Sequence, residues 1–280
     1  MSEISSRIES ALRARIVSRQ PLSGGCVAKV SRLTLSNGQC VVAKEGGQGL
    51  DLEGWMLTYL GDKLPVPEML LAEPDLLVMT WLESGPGGFD GKAEIHCAEL
   101  IASLHGYTAP AFGLDRDTVI GGLSQPNGGH AKWLDFFRDQ RLLHMAGEAL
   151  REKSLPKAVH DRIEKLAARL ERWIDEPLRP SLVHGDLWGG NILAGGGRVA
   201  GFVDPAMYYA DPEIELAFGT LFGTLGDYFF KRYNELRPMA AGFFDVRRDL
   251  YNLYPLLVHV RLFQGGYLGQ LEKSLDRFGV

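Results

Sequence analysis

The sequence has few cysteines and no long apolar run. Three cysteines occur among 280 residues. Cys26, Cys40 and Cys97 are spaced neither as a disulfide framework nor as zinc ligands. A reducing, cytoplasmic environment is therefore expected. Because no apolar segment approaches the roughly 18 residues that a bilayer span requires, we expect no membrane partner.

An excess of positive charge is also lacking. Thirty basic residues face 35 acidic ones, which gives a net charge of −5. This balance argues against a nucleic acid or an anionic membrane as the main partner. Residues 1–16 carry five charged side chains and no apolar core, so we expect no secretory signal there. With 45% hydrophobic residues, the composition is that of a globular protein with a substantial core.

The first 83 residues have the pattern of a small β-rich lobe. Ile4, Ile8 and Leu12 recur every fourth residue, which predicts a short opening helix. Asn37-Gly38 separates two β-prone runs and predicts a hairpin. Further predicted elements are a helix over residues 50–60 and strands over residues 66–71 and 76–82.

Glycine and proline between residues 83 and 88 interrupt this pattern, and mainly helical periodicity follows. We therefore predict an α+β protein with two lobes, comprising residues 1–83 and 84–280. The first lobe is expected to bind nucleotide and the second to carry the catalytic loop and the substrate site. Helices are predicted at residues 92–105, from Trp133 onward, and at 159–173, 216–230 and 250–271.

The stretch of residues 183–193, VHGDLWGGNIL, carries the clearest chemical signal. Asn191 follows Asp186 by five positions, and Asp204 comes after the next apolar run. Phosphoryl transfer needs a carboxylate to accept the substrate's hydroxyl proton, and oxygen ligands for magnesium. The protein-kinase catalytic loop has the same spacing. We therefore predict Asp186 as the base, with Asn191 and Asp204 as Mg²⁺ ligands.

The first lobe contains residues suited to binding ATP. Gly24 and Gly25 would let backbone N–H groups approach a phosphate, although such glycine pairs are often simple turns. Lys44 ends a predicted strand, and Glu53 follows nine residues later. Alone, Lys44 could be a surface lysine. With the downstream loop, it is expected to meet the α- and β-phosphates while Glu53 holds its ammonium group.

Several neighbouring residues allow two interpretations. His184 and His105 are expected to be structural. Trp188 could lie over a sugar or a cationic amine as a substrate contact, or could pack in the core. Glu213 and Glu215 are expected to begin a helix, and one of them could tie the catalytic loop by hydrogen bonds. Cys26 could be an oxidisable thiol that links two chains, or an inert small residue.

These residues resemble the fructosamine kinase (ketosamine-3-kinase) family, a branch of the protein-kinase-like and aminoglycoside-phosphotransferase-like superfamily. The resemblance spans nearly the whole chain. It rests on the run of residues 182–191, residues 204–209 and 221–223, the region from Phe112 to Phe137, and the stretches 250–255 and 265–267.

The resemblance implies a protein-kinase-like fold and ATP-dependent phosphorylation of the C3 hydroxyl of a ketosamine, free or protein-bound. The phosphorylated adduct then decomposes, which removes the sugar from the amine. The family roles fall on the residues already named, and the hinge backbone at Trp81 and Leu82 would meet adenine. Glu215 stands where the family usually has aspartate, and we expect a looser tie to the catalytic loop there.

Two other functions remain open from the sequence. One is another small-molecule kinase of the superfamily, of the aminoglycoside, choline or homoserine type. Trp188 and the segment 125–137 argue against it. The other is a nucleotide-binding pseudokinase scaffold, which the complete set of Lys44, Glu53, Asp186 and the two metal ligands disfavours. The identity of the ketosamine, and whether the protein is a monomer or a homodimer, also remain open.

Overall fold

The amino-terminal part of the chain folds into an antiparallel sheet with two helices. The computed structural model describes residues 3–22, 28–47 and 49–280. Within these residues five strands pair in the order β1-β2-β3-β5-β4. The elements are α1 (Glu3–Leu12), β1 (Ile16–Pro21), β2 (Lys29–Leu35), β3 (Cys40–Glu45), α2 (Leu50–Leu60), β4 (Met69–Glu73) and β5 (Leu76–Thr80).

The predicted hairpin joins β2 to β3. Gly38 has a φ of 86°, which glycine adopts without a steric penalty. The side chain of Asn37 accepts a hydrogen bond from the Gln39 N–H at 3.0 Å and closes the turn. The hairpin prediction is therefore confirmed.

The two faces of this sheet are covered by different helices. Because strand side chains alternate, Val41 and Ala43 of β3 point to the face where Ile8 of α1 is buried. Val42 lies on the opposite face, against a cluster that includes Leu57 of α2. The α2 side of the sheet is therefore the side on which Glu53 is carried.

The remainder of the chain is mainly helical. Its helices are α3 (Gly91–Leu104), α4 (Trp133–Phe136), α5 (His144–Arg151), α6 (Lys157–Ala167), α7 (Glu213–Leu221), α8 (Asp227–Leu236), α9 (Arg248–Tyr251), α10 (Leu253–Phe263) and α11 (Tyr267–Arg277). Short strands form two-stranded pairs: β6 (Thr118–Ile120) with β7 (Leu123–Gln125), β8 (Ser181–Val183) with β11 (Tyr208–Ala210), and β9 (Ile192–Gly195) with β10 (Arg198–Phe202). Single π-helical turns occupy Phe137–Leu143 and Phe243–Arg247.

Three long predicted helices are shorter in the structure. The helix predicted over residues 159–173 ends at Ala167, and a 3-10 turn follows at Leu170–Arg172. The segment predicted as one helix over 216–230 divides into α7 and α8, and the segment 250–271 divides into α9, α10 and α11. Gly223 and Gly265 have positive φ at two of these breaks, and helical residues cannot adopt that conformation.

The two lobes meet through backbone and side-chain contacts. The N–H of Phe202 donates to the Pro65 carbonyl at 2.9 Å. The hydroxyls of Tyr59 and Tyr209 are 2.8 Å apart. Residues 81–90, which contain the predicted boundary, lie between β5 and α3 and belong to neither a strand nor a helix. The division at residues 83–84 stays a prediction.

Most of the apolar core lies in the helical lobe. Trp133, Phe136 and Phe137 are all fully buried there. The rings of Phe136 and Phe137 each lie 5.6 Å from that of Trp133. No helix in the described part of the chain is long and apolar enough to cross a membrane.

Candidate active site

The loop between β8 and β9 brings Asp186 and Asn191 together. The Nδ2 of Asn191 donates to the backbone carbonyl of Asp186 and to its Oδ2, each at 2.9 Å. It also lies 3.5 Å from the carbonyl of Asp204. The amide therefore joins both segments that carry acids and fixes the orientation of the Asp186 carboxylate.

A lysine from the sheet reaches the acid that follows β10. Lys44 Nζ lies 2.7 Å from Glu53 Oε1 and also hydrogen-bonds Asp204 Oδ1. Residues 44 and 204 are contributed by different lobes. The structure thus brings Lys44 together with Glu53 and Asp204, as expected if the three residues belong to one site. Asp204 has a φ of +55°, a conformation that is uncommon outside glycine and that here turns the acid after the strand.

Burial and charge act in opposite directions on these groups. Burial alone would lower the pKa of Lys44, but Glu53 and Asp204 raise it above its ordinary value. Lys44 is therefore positively charged at neutral pH. Burial raises the pKa of Asp186 to about 7, although the hydrogen bond from Asn191 acts in the opposite sense.

The back of the catalytic loop is held by a buried acid. Glu215 Oε1 accepts a hydrogen bond from the Gly185 N–H at 2.7 Å. Its Oε2 lies 2.8 Å from Nε2 of His105, and the other ring nitrogen of His105 lies 2.7 Å from the Tyr233 hydroxyl. The expectation that Glu215 would loosen this tie is wrong, because the longer side chain reaches both partners. His105 is fully buried in this network, as its structural interpretation requires.

Close backbone packing adds a second constraint behind Asp186. Gly185 has a φ of +87°, and a Cβ there would lie 2.0 Å from the carbonyl oxygen of Ala206. The N–H of Ala206 donates to the His184 carbonyl at 2.8 Å. His184 is fully buried, and its Nδ1 lies 3.4 Å from the Asp186 N–H. Burial lowers the pKa of His184, so this imidazole is neutral.

Sequence reasoning missed a further buried support. Gln125 donates to the Ala206 carbonyl at 2.9 Å and accepts from the Tyr254 hydroxyl at 2.7 Å. Arg141, within a π-helical turn, lies 3.9 Å from the ring centre of Tyr208. π-helical turns are frequent at functional sites. Gln125 lies in the segment that resembled the family, but nothing in its spacing indicated contact with residue 206.

Trp188 faces outward from the same loop. Its side chain is 42% exposed, and its ring lies over Gly190, where a Cβ would come within 2.4 Å of the indole. The backbone around it is fixed, because the Asn191 N–H donates to the Trp188 carbonyl at 2.9 Å. The core-packing interpretation of Trp188 does not fit this exposure. An accessible indole two residues after Asp186 fits a substrate contact.

The structure describes only some of the remaining residues that were predicted to bind the nucleotide. Gly24, Gly25 and Cys26 lie outside the described residues. Trp81 stacks beneath Arg32, whose guanidinium carbon is 4.5 Å from the ring centre. The Leu82 side chain packs on Gly201, where a Cβ would lie 2.4 Å from Leu82 Cδ1. The adenine contact predicted at Trp81 and Leu82 stays a prediction.

The donor set beside Asp186 suits magnesium. Because Asn191 uses Nδ2 in its hydrogen bonds, its Oδ1 has no hydrogen-bond partner among the described residues. Asp204 uses Oδ1 toward Lys44, and a carboxylate has further lone pairs that a cation can share. The amide oxygen of Asn191 and the carboxylate of Asp204 are therefore the candidate ligands. Such hard oxygen ligands are the ones that Mg²⁺ prefers.

A family model of fructosamine kinases matches residues 1–278. The chain belongs to the fructosamine kinase family. A "Probable ketoamine kinase" of Synechocystis sp. is 33% identical, covering 94% of this chain and 90% of the relative. A chloroplastic protein-ribulosamine 3-kinase of Arabidopsis thaliana is 29% identical, covering 92% of this chain and 81% of the relative.

A solved structure supports the same fold. The crystal structure of a "putative fructosamine-3-kinase" from Thermobifida fusca superposes with a TM-score of 0.88. It is 28% identical in sequence, and the match covers 98% of this chain and 97% of that one. The predicted α+β architecture, with a protein-kinase-like sheet lobe and a helical lobe, is therefore confirmed.

Proposed function

We propose that this protein is an ATP-dependent kinase that phosphorylates the C3 hydroxyl of ketosamines such as fructosamine or ribulosamine. Membership of the fructosamine kinase family supports this function. The observation that carries it is the convergence of Lys44, Asp186 and Asp204 from separate parts of the chain on one site. Decomposition of the phosphorylated adduct would free the amine, so the reaction would serve protein deglycation.

In this proposal Asp186 accepts the proton of the substrate hydroxyl. The hydroxyl oxygen forms a bond to the γ-phosphorus of ATP. The bond between the γ-phosphorus and the oxygen that bridges it to the β-phosphate breaks, and ADP leaves with that oxygen. The hydroxyl proton is lost late in a loose transition state, so orientation of the carboxylate matters more than basicity. Asn191 supplies that orientation through its two hydrogen bonds to Asp186.

Lys44 is proposed to meet the α- and β-phosphates, with Glu53 as its counter-ion. The buried pair already holds the ammonium group at 2.7 Å from the Glu53 carboxylate. Gly24, Gly25, Trp81 and Leu82 complete the proposed nucleotide site.

Asn191 and Asp204 would hold Mg²⁺ through their remaining oxygen atoms. The ion would neutralise charge on the phosphate groups during transfer. This assignment rests on the Asn191 amide, whose Nδ2 is the atom used toward Asp186, and on the Asp204 carboxylate beside Lys44.

Trp188 is proposed to contact the substrate beside the hydroxyl that reacts. An exposed indole can stack on the apolar face of a sugar and attract the ammonium group of a ketosamine. We further propose that the substrate is a free or protein-bound ketosamine, that the protein is a monomer or a homodimer, and that it is located in the cytoplasm.

A coupled ATPase screen tests the function. Purified protein with Mg²⁺ would be assayed on fructosamines, ribulosamines, erythrulosamines, aminoglycosides and choline. We expect ATP consumption with at least one ketosamine and none with the other two classes. Activity confined to an aminoglycoside or choline would overturn the ketosamine assignment. ATP binding without turnover of any acceptor would favour a nucleotide-binding pseudokinase scaffold.

A further inference from the structure

A continuous row of rings extends from Trp188 across the surface of the helical lobe. We call it the aromatic strip, and it consists of Trp188, Phe222, His259, Phe263 and Tyr267. The ring centres are 6.3 Å apart between Trp188 and Phe222, and 5.0 Å apart between Phe222 and His259. From His259 they are 5.4 Å to Phe263 and 4.9 Å to Tyr267. The strip therefore begins two residues after Asp186 and continues through these rings without a gap.

The strip is exposed to solvent at Trp188, Phe222 and Phe263, and its other two rings, His259 and Tyr267, are half-buried. Phe222 is 40% exposed and Phe263 is 45% exposed, values close to that of Trp188. Single exposed apolar residues are ordinary on protein surfaces, whereas a contiguous apolar row commonly marks a binding site. Phe218, which is buried, packs under Phe222 at 6.0 Å and supports the row from below.

The backbone holds the strip in place through two helix breaks. Between α7 and α8, the hydroxyl of Thr224 accepts a hydrogen bond from the Gly189 N–H at 2.8 Å. This bond ties the break that carries Phe222 to the catalytic loop. Between α10 and α11, Gln264 and Gly265 have φ values of 55° and 65°. That turn brings the rings on both sides of it over His259.

The ring in the middle of the strip is uncharged. His259 Nδ1 donates to the Pro255 carbonyl at 2.7 Å, which leaves Nε2 as the unprotonated nitrogen. Burial lowers the pKa of His259 and keeps the imidazole neutral at physiological pH. All five side chains of the strip therefore present neutral rings.

A ketosamine has the shape that this arrangement requires. Its nitrogen is separated from C3 only by C2 and C1, so a sugar with its C3 hydroxyl at Asp186 holds the nitrogen close to the catalytic loop. The nitrogen is cationic, and the face of an indole attracts a cation. The carbon chain on the nitrogen then leaves the sugar on the side of Trp188. Neutral rings contact such a chain favourably when it is apolar.

We propose that the aromatic strip binds the apolar carbon chain attached to the ketosamine nitrogen, as in the tetramethylene chain of a modified lysine. The proposal rests on the ketosamine kinase function argued above and adds to it the site that selects the amine portion. The strip thereby sets a preference among adducts of one sugar, and Phe222 and Phe263 determine that preference.

The test compares two adducts of the same sugar, made with hexylamine and with methylamine. The measured quantity is the ratio of kcat/KM for the long adduct to that for the short one. We expect wild-type protein to favour the hexylamine adduct. In Phe263→Ala and in Phe222→Ala this ratio should fall about tenfold, because each removes a ring that contacts several methylene groups.

Phe244→Ala is the matched control, since Phe244 is 44% exposed but lies outside the strip. It should leave the ratio unchanged. Both kcat/KM values in the ratio come from the same preparation of one variant. A partial loss of folded protein lowers both values equally and so leaves the ratio unchanged. Phe263→Leu, which keeps an apolar side chain, should retain most of the preference.

Three outcomes would overturn the proposal. A wild-type ratio near one, with both adducts phosphorylated, would remove the strip's role and leave the kinase function standing. An equal fall in Phe244→Ala would show that the effect is not specific to the strip. If the protein phosphorylates neither adduct and no other ketosamine, that result would contradict the proposed function and the strip together.

Discussion

The two sides of the catalytic loop are built in opposite ways. Behind it, Glu215 and His105 are buried and each uses both of its polar atoms in hydrogen bonds at 2.8 Å or less. In front of it, Trp188 contacts the Phe222 ring and is partly exposed to solvent. An unpaired polar group is costly when buried, so the rear network has one arrangement. The front face can accept different substrates without disturbing it.

This difference predicts two kinds of mutational effect. Changes behind the loop should lower stability and kcat together, because they displace Asp186. Changes in front should alter KM while leaving the free energy of unfolding almost unchanged. Asp186 stands between the two regions, and its own substitution should have the largest effect on turnover.

Asp186→Asn should lower kcat by about 10²- to 10⁴-fold, the usual contribution of a proton acceptor. The asparagine keeps the shape of the side chain, so ATP affinity should change little. Steady-state kinetics and nucleotide titration measure the two quantities. Asp62→Asn, at an exposed position remote in sequence, serves as control. Turnover like that of wild type in Asp186→Asn would remove this residue from the proposed role.

Gly185→Ala should destabilise the protein by about 3 kcal/mol, because it combines a strained φ with a steric clash. The new Cβ would meet the Ala206 carbonyl at 2.0 Å. Chemical denaturation gives the free energy of unfolding. In Gly147→Ala the added methyl group meets no atom within 4 Å, so this helical control should be neutral or slightly stabilising. Equal stability of the two variants would contradict the close packing described behind the loop.

Glu215→Asp should cost about 1–2 kcal/mol of stability and should lower kcat in parallel. The shorter side chain cannot keep both the Gly185 N–H and the His105 ring at hydrogen-bonding distance. Denaturation curves and kcat measured on the same preparation test this. Glu235→Asp, at a solvent-exposed ion pair, should change neither. A fall in kcat without any loss of stability would argue against a purely structural support.

Trp188→Ala should have the smallest effect of the four, a rise in KM for ketosamine of about fivefold. That factor corresponds to the loss of about 1 kcal/mol of ring contact. The KM for ATP and the unfolding free energy should stay near their wild-type values. Trp188→Phe should restore part of the affinity. If Trp188→Ala instead unfolds the protein, the indole belongs to the rear network and the contrast between the two faces fails.

The residues predicted from sequence and those missed differ in the range of their contacts. Asp186 and Asn191 are five positions apart, and their hydrogen bond follows from the local turn. His105 and Glu215 are 110 residues apart, and no periodic pattern connects them. The same holds for Gln125 and the Ala206 carbonyl. Only the tertiary fold brings the two residues of such a pair together.

Element boundaries were missed for a different reason. Apolar periodicity continued through residues 216–230 and 250–271, so single helices were predicted there. Glycines at 223, 226, 265 and 266 are signals of helix breaks, and apolar periodicity alone does not register them. These breaks carry Phe222 and the turn beside Phe263. The aromatic strip therefore could not be predicted without the structure, although its backbone signal was in the sequence.

The most direct measurement is a ³¹P NMR spectrum of the product formed from ATP, Mg²⁺ and a ribulosamine. Wild-type protein should produce a phosphomonoester resonance coupled to the proton on C3, and Asp186→Asn should produce none on the same time scale. Release of inorganic phosphate from ATP at the same rate with and without the ribulosamine, or a phosphate on another oxygen, would contradict the assignment of this site to the C3 hydroxyl of ketosamines.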